Sequence, residues 1–340
     1  MSHSVRVVLF FIFYGVPVCQ GEDLQRFEYS QPHMGTTFRF VLYASDQATA
    51  DRAAQAGFLR VAALNRIMSD YLDSSELQQL CARFEKKIAD PVPVSRDLFF
   101  ILKRSIEVSK LSDGAFDVSI RPLVLQWRNA RRTQRLPKSD EITSAQKLVG
   151  WQKIRLDEKN RSVQLTVPGM QLDLGGIAKG YSADEVLKVF TESGISSALV
   201  AAGGDIAVSH APPGRPGWKI EIAPLPGSKK KRLVLLRDAA ISTSGDAEQF
   251  VVINGVRYSH LVDPFTGMGL TGRRSVTVIA RHGINADSMT KVASILPPKR
   301  AIEIFDSQPD LATLIIVKTD QGESETASKQ FAKHLLKEEK

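Results

Sequence analysis

Cysteine is nearly absent: the 340 residues contain two, Cys19 and Cys81. Aromatic residues are sparse at 7%, and no apolar run reaches the roughly 20 residues that span a bilayer. With a mean hydropathy of -0.12, these shortages exclude a disulfide-stapled scaffold and a polytopic membrane protein. Internal repeats are missing too, as are the phosphate loop G-x-x-x-x-G-K-[ST] and the dinucleotide fingerprint G-x-G-x-x-G. What is present is an ordinary globular composition, 43% hydrophobic and 24% charged, which excludes collagen-like and wholly disordered chains. It suffices for one large or two modest domains.

Arg6 and the terminal amine precede an apolar run from Val7 to Val18, after which the chain turns polar at Gln20, Gly21 and Glu22. That is the layout of a secretory signal peptide. It predicts cleavage after Gly21 and an exported protein, periplasmic or at the periplasmic face of the inner membrane. Cys19 raises lipidation as an alternative, but Val18 stands where a lipoprotein signal places a small residue, so soluble export is preferred. Removing residues 1–21 takes Arg6 away, which leaves Cys81 as the single thiol and turns a net charge of +8 into +7. The basic excess lies in Arg128, Arg131, Arg132 and Arg135, and in Lys229, Lys230, Lys231 and Arg232. Both runs sit beside Pro or Gly and read as solvated loops. A basic surface suits an anionic partner; without a groove-reading motif, nucleic acid is not expected.

Apolar periodicity predicts helices over 51–68, from Ser95 as cap to Leu111, and over 140–149, 178–192 and 285–296. Strands are expected at 35–43, 153–157, 162–167, 197–202, 218–223, 232–236, 250–253 and 274–281. This order is neither strict βαβ nor all-β, so the class is α+β, with mixed and largely antiparallel sheets flanked by helices. The expected layout is a domain over 22–319, with 128–137 as a polar insertion and 320–340 as a charged tail.

Four segments carry residues suited to chemistry. In the first, Asp173-Leu-Gly-Gly-Ile-Ala-Lys-Gly180, two glycines precede a helix N-terminus and Lys179 adds a cation, which suits a phosphate or, equally, a plain turn. In the second, Asp287, Thr290 and Lys291 share one helix face that Asn285 can cap, and its carboxylate and hydroxyl are oxygen ligands of the kind Mg²⁺ accepts. The third runs from Tyr258 through His260, Asp263 and Thr266 to Gly267, a strand entering a turn with a proton acceptor beside a carboxylate. In the fourth, Asp113-Gly-Ala-Phe-Asp117, two acids bracket a turn, and Phe116 either stacks on a ring or belongs to the core.

Read in order with His33-Met-Gly-Thr36, Ser69-Asp-Tyr71, Gly203-Gly-Asp205, Ser242-Thr-Ser-Gly245 and Ala286-Asp287, these segments resemble the motifs of the ApbE family, the FAD:protein FMN transferases. The likeness covers about residues 30–296. It implies an ApbE-like, T-fold-related architecture in an exported enzyme that splits FAD, with Mg²⁺ required. FMN would be attached through its phosphate to a Ser or Thr hydroxyl of an acceptor flavoprotein. It further implies that Met34, Tyr71, Ala115, Phe116 and Asp117 line the flavin and adenine pocket and that Asp173 and Lys179 contact FAD. The carbonyl of Gly176 and the carboxylate of Asp287 would hold Mg²⁺, and His260 would lie near the pyrophosphate as acid–base or phosphate-contacting residue; on residue chemistry alone, Thr290 is a candidate further ligand and Asp263 a candidate partner that orients His260. Any membrane proximity would come through the acceptor.

One position departs from the pattern. Many family members carry Thr four residues after the metal-binding Asp, whereas here that residue is Lys291 and the Thr is one earlier. An ammonium has no lone pair and cannot ligate a metal, so the expectation is that Mg²⁺ binds through Asp287 alone or through a shifted Thr290. Two other readings of the same site are an FAD pyrophosphatase giving FMN and AMP, and a flavin carrier without turnover.

Overall fold

The computed structural model describes residues 24–225, 230–245, 250–319 and 321–336; the expected signal segment 1–21 and Lys229 lie outside the described residues. The elements run β1 Gln25–His33, β2 Thr36–Ala44, α1 Gln47–Met68, α2 Glu76–Arg83, β3 Val92–Pro93, α3 Arg96–Leu111, α4 Arg121–Thr133 and α5 Ser139–Gln146. There follow β4 Ile154–Asp157, β5 Ser162–Leu165, α6 Ala178–Glu192, β6 Ala198–Ala202, β7 Asp205–Val208, β8 Trp218–Ile222, β9 Arg232–Leu236 and β10 Ala239–Gly245. The last third holds β11 Phe250–Ile253, β12 Val256–Val262, β13 Gly269–Thr271, β14 Arg273–Ala280, α7 Gly283–Ile295, α8 Pro298–Asp306, β15 Leu311–Thr319 and β16 Gly322–Ala327.

Eight strands form one antiparallel sheet in the order β1-β2-β6-β7-β10-β14-β15-β16. Its strands alternate, and both faces are covered. Phe38, Phe40 and Leu42 point with Val200, Val276 and Val278 into a core shared with α1, α6 and α7. Val41, Leu199, Ile279, Leu314 and Ile316 point the other way, under the β8-β9 hairpin and Phe331. A third, smaller core joins Leu123, Trp127 and Ala130 of α4 to Ile142 and to Val251, Tyr258 and Val262 of the β11-β12-β13 sheet. The mixed, largely antiparallel α+β class is therefore the one observed. Caps behave locally as expected: the Ser95 hydroxyl accepts from the Leu98 N–H at 3.2 Å at the start of α3, and Asp46 does the same for Thr49 at the start of α1.

Three expectations are corrected. Residues 128–137 are not a polar insertion, because α4 runs through Thr133; Leu123, Trp127 and Ala130 bury one face at i, i+4 and i+7, while arginines occupy the other. The second basic run is not a solvated loop in its described part. Arg232 is buried on β9, and its guanidinium donates to Glu325 at 2.6 Å, as Lys230 does at 2.7 Å. Nor do residues 320–340 begin outside the fold, since β16 pairs with β15 from Thr319↔Gly322 to Leu314↔Ala327.

Candidate active site

Two helices meet at glycines. A Cβ on Gly180 of α6 would stand 2.1 Å from the Gly283 carbonyl oxygen and 2.8 Å from the Asp287 Cβ, and one on Gly283 would stand 2.5 Å from the Gly180 oxygen. Backbone approach this close requires glycine on both sides. Each helix then supplies a carboxylate to the other's N-terminus. Asp287 of α7 accepts from the Gly180 N–H at 3.1 Å, while Asp184 of α6 accepts from the N–H groups of Gly283 at 2.6 Å and Ile284 at 2.9 Å. An anion at a helix N-terminus is favoured by its unpaired N–H groups and dipole. Asn285, the expected cap of α7, instead lies inside the helix and accepts from Arg104 at 2.8 Å. Asp184 is so enclosed that burial lifts its pKa to about 6 against the pull of the two N–H donors.

Around this crossing sits a buried four-charge cluster. Lys179, in the first turn of α6, reaches Asp205 at 2.5 Å and Asp287 at 3.7 Å. Lys291 reaches the other Asp287 carboxylate oxygen at 2.5 Å and the Asp287 main-chain oxygen at 3.2 Å. Asp205 opens β7 after the Gly203-Gly204 turn, and its second oxygen accepts from the Ser242 hydroxyl of β10 at 2.5 Å. Burial alone would raise the pKa of Asp287, yet Lys179 and Lys291 hold it below the usual carboxylate value. Burial would likewise lower that of Lys179, and Asp287 and Asp205 instead raise it. Both groups are charged at neutral pH.

The residues expected to hold Mg²⁺ do not fit the ion. The oxygens of Asp287 all have donors: Lys291 on Oδ1, Gly180 and Lys179 on Oδ2, and Lys291 with the Thr290 hydroxyl, at 2.7 Å, on the main-chain oxygen. Thr290 is fully buried and its hydroxyl is bonded back into its own helix. On the side of Gly176, a Cβ would meet Lys291 Cγ and Cε at 3.5 Å. The Lys291 side chain thus lies between Gly176 and Asp287, where a shared ion was expected.

The loop from Asp173 to Ile177 leads from this cluster to a more open wall. Phe116 packs beside Gly176, 3.4 Å from where its Cβ would be, and with Ala115 it is buried. Phe116 therefore belongs to the core while edging the loop. Asp117 is occupied structurally: it accepts from the Ser119 N–H and hydroxyl at 2.8 and 2.6 Å and from the Trp151 N–H at 2.8 Å. Asp173 accepts from the Gly175 N–H at 2.7 Å, and burial together with the negative charge of Asp70 raises its pKa. Arg128 links the wall together. It donates to Asp70 at 2.5 Å, lies 3.8 Å from Asp173, and places its guanidinium 4.3 Å above the Tyr71 ring, which is 75% exposed. Arg121 adds a 2.6 Å bond to the Asp70 carbonyl.

Met34 approaches from the β1-β2 hairpin. It and Gly35 both have positive φ, 49° and 71°, as a tight type I′ hairpin turn demands. Its sulfur accepts from the Ser182 hydroxyl of α6 at 3.5 Å, which sets it over the α6 N-terminal turns. His260 lies half-buried on β12, where the pairing with β13 shifts register between Tyr258 and Val262. The expected partnership with Asp263 is not how that carboxylate is used: it accepts from the Phe265 N–H at 2.8 Å, and the Thr266 hydroxyl accepts from Met268, so both residues build the turn. That turn packs on α4 through a 2.9 Å bond from the Trp127 indole to the Gly267 carbonyl, and its Phe265 comes within 3.9 Å of the Cβ position of Gly114.

The order of these parts along the chain matches a known pattern. The model of the ApbE family matches residues 34–315. The chain belongs to the ApbE family. Among its ApbE relatives, the FAD:protein FMN transferase of Vibrio cholerae serotype O1 is 30% identical over 91% of this chain and 92% of its own length. That of Treponema pallidum is 30% identical over 91% and 90%. The solved structure of the flavin transferase ApbE from Vibrio cholerae superposes with a TM-score of 0.82 at 28% identity, covering 92% of this chain and 100% of that one. The apo flavinyl transferase ApbE of Pseudomonas stutzeri gives 0.80 at 25%, covering 92% and 97%.

Within the ApbE motifs, the sequence missed the parts played by Arg128, Arg121, Asp70, Asp205 and Ser242. Asp70, Asp205 and Ser242 stood inside quoted motifs with no role attached. Arg128 carried one usable signal, its place on the face of α4 opposite Leu123 and Trp127, and that signal was hidden once the segment was read as an insertion.

Proposed function

We propose that this chain is an FAD:protein FMN transferase that moves FMN from FAD to a Ser or Thr hydroxyl of an exported acceptor flavoprotein and releases AMP. The observation that carries this reading is the buried cluster of Lys179, Asp205, Asp287 and Lys291 at the α6 N-terminus, next to an exposed aromatic and guanidinium wall, in a chain of this family. The cluster suits a pyrophosphate; Tyr71 and Arg128 suit a flat ring.

The acceptor oxygen attacks the phosphorus on the FMN side. The new O–P bond forms as the P–O bond to AMP breaks, the hydroxyl proton passes to a base, and AMP departs with its own phosphate. Such a transfer depends on in-line positioning and on offsetting the charge of the non-bridging oxygens. Lys179 and Lys291 supply positive charge there, and Asp205 and Asp287 hold the two ammonium groups in place. His260 is the candidate base. No step in this reading passes through Mg²⁺, because the Lys291 ammonium stands where the ion was expected.

The test is to incubate the protein with FAD and an exported flavoprotein bearing a Ser/Thr acceptor site, then to look for flavin fluorescence on the acceptor in a denaturing gel. Labelling supports transfer, free FMN without labelling supports the pyrophosphatase, and unchanged FAD supports a carrier. Export is part of the same proposal and rests on Arg6 and the Val7 to Val18 run. Mass spectrometry of the mature N-terminus would find residue 22 first, and a lipid on Cys19 would overturn soluble export. Any encounter with the membrane would come through the acceptor; no helix among the described residues is long and apolar enough to cross one.

A further inference from the structure

We propose that the Lys291 ammonium is this chain's built-in counter-ion for the FAD pyrophosphate, and that it replaces a divalent cation at Asp287. The proposal rests on the transferase reading for its ligand, but its geometry stands on the chain's own atoms. Lys291 Nζ is 2.5 Å from Asp287 Oδ1. An inner-sphere Mg²⁺ would need about 2.0–2.1 Å to the same oxygen. An arriving ion would have to compete with the ammonium for that oxygen.

The other oxygens of Asp287 also have partners. Gly180 and Lys179 hold Oδ2, and Thr290 joins Lys291 on the main-chain oxygen. Charge leads to the same conclusion. Asp287 already faces two ammonium groups, Lys179 and Lys291, so its single negative charge is more than met before any ion arrives. A divalent ion would add two positive charges beside two ammonium groups in a site whose aspartate is wholly buried.

Lys291 is fixed at i+4 from Asp287 on α7, and its stem lies along the space beside Gly176. Its side chain keeps 16% exposure, so Lys291 is not sealed from solvent as Asp287 is. A tethered cation of this kind is present at all times and is not removed by chelation.

The test begins on the unmodified protein. FAD binding, read by flavin fluorescence, is expected to change by less than about twofold between EDTA and excess Mg²⁺, and Mn²⁺ used as a paramagnetic probe is expected to give no bound signal. Lys291→Thr is expected to bind FAD at least about tenfold more weakly in EDTA and to recover with Mg²⁺ or Mn²⁺, because the vacated seat offers oxygens to a metal. Lys291→Arg is expected to retain metal-independent binding, which distinguishes loss of a cation from loss of fold. FAD binding by the unmodified protein that collapses in EDTA and returns with a bound Mn²⁺ signal overturns the proposal, whatever the variants do. If FAD binds without metal but the acceptor is never labelled, the transferase reading fails and this assignment stands.

Discussion

The two walls of the site are built differently. The inner wall consists of charges fixed on α6, α7 and β7, braced by the Ser242 hydroxyl of β10, with Asp287 at zero exposure and its partners closing on it from segments far apart in sequence. The outer wall is made of Tyr71 in a loop and Arg128 on the outer face of α4, with the aromatic ring largely in solvent. On the inner wall each charge depends on the others being present, because an unpaired charge in a buried place is expensive. On the outer wall water reaches the Tyr71 ring, whose contact is worth little to the fold, while Arg128 is held by the buried carboxylate of Asp70. Stability and chemistry are therefore coupled on one side of the site and, at Tyr71, separable on the other.

Asp287→Asn should break this contrast most severely. It leaves two ammonium groups facing Asp205 alone, and unfolding by denaturant should reveal a loss of about 3–5 kcal/mol together with loss of transfer. The sign with pH follows from the lowered folded pKa. The contribution of Asp287 is complete above the unfolded value near ~4 and disappears as pH falls through the folded value, so the variant's deficit should shrink on acidification. A deficit that does not change with pH would count against the ion-pair account.

Gly180→Ala comes next. Its Cβ would press on the Gly283 backbone and on the Asp287 Cβ, and a loss of roughly 3 kcal/mol is expected, with transfer falling alongside. A silent substitution there would mean that the helices separate easily.

Asp184→Asn sharpens the comparison within the inner wall, because its pKa is shifted the opposite way. With the folded value at about 6 and the unfolded one near ~4, the folded state holds the proton more tightly, and its stability falls as pH rises between the two. Subtracting the variant's stability from that of the unmodified protein should give a difference that declines across this window and is level above it. A flat difference throughout would refute the raised value.

Arg128→Met and Tyr71→Ala should be the mildest. Tyr71→Ala should shift unfolding by less than about 1 kcal/mol while weakening FAD binding, and Arg128→Met should cost more on both counts because its guanidinium bonds the buried carboxylate of Asp70. Equal damage to stability and binding would erase the distinction between the walls.

How much of this was legible in the sequence depended on the kind of force at work. The amphipathic helices α1, α3 and α6 and the Ser95 cap could be read because their signals are local. The edge strands β1 and β16 could not: QRFEYSQPH and GESETA face solvent for most of their length and lack the alternation that marks a half-buried strand. β10 was hidden for another reason, since its buried Ser242 is polar and satisfied only by Asp205, a residue 37 positions away. The site divided in the same way. Motif order pointed to Lys179 and Asp287, which stand 3.7 Å apart, but Asp173 stands apart from them beside Arg128, Asn285 was displaced as cap by Asp184 from another helix, and Asp263 was drawn into its own turn. Those outcomes depend on contacts between segments, which residue spacing does not encode.

The Gly180 and Gly283 crossing also bears on when the site comes into being. The Gly180 amide and the Asp287 carboxylate are 107 residues apart, with α6 following β5 of a three-stranded sheet and α7 following β14 of the eight-stranded one. Closing so long a loop is among the slower events of chain collapse. The cluster should thus be among the last features to assemble and the first to dissolve if α7 lifts. Amide exchange at Gly180 should follow that opening and provide a one-proton measure of how often the intact molecule is competent to act.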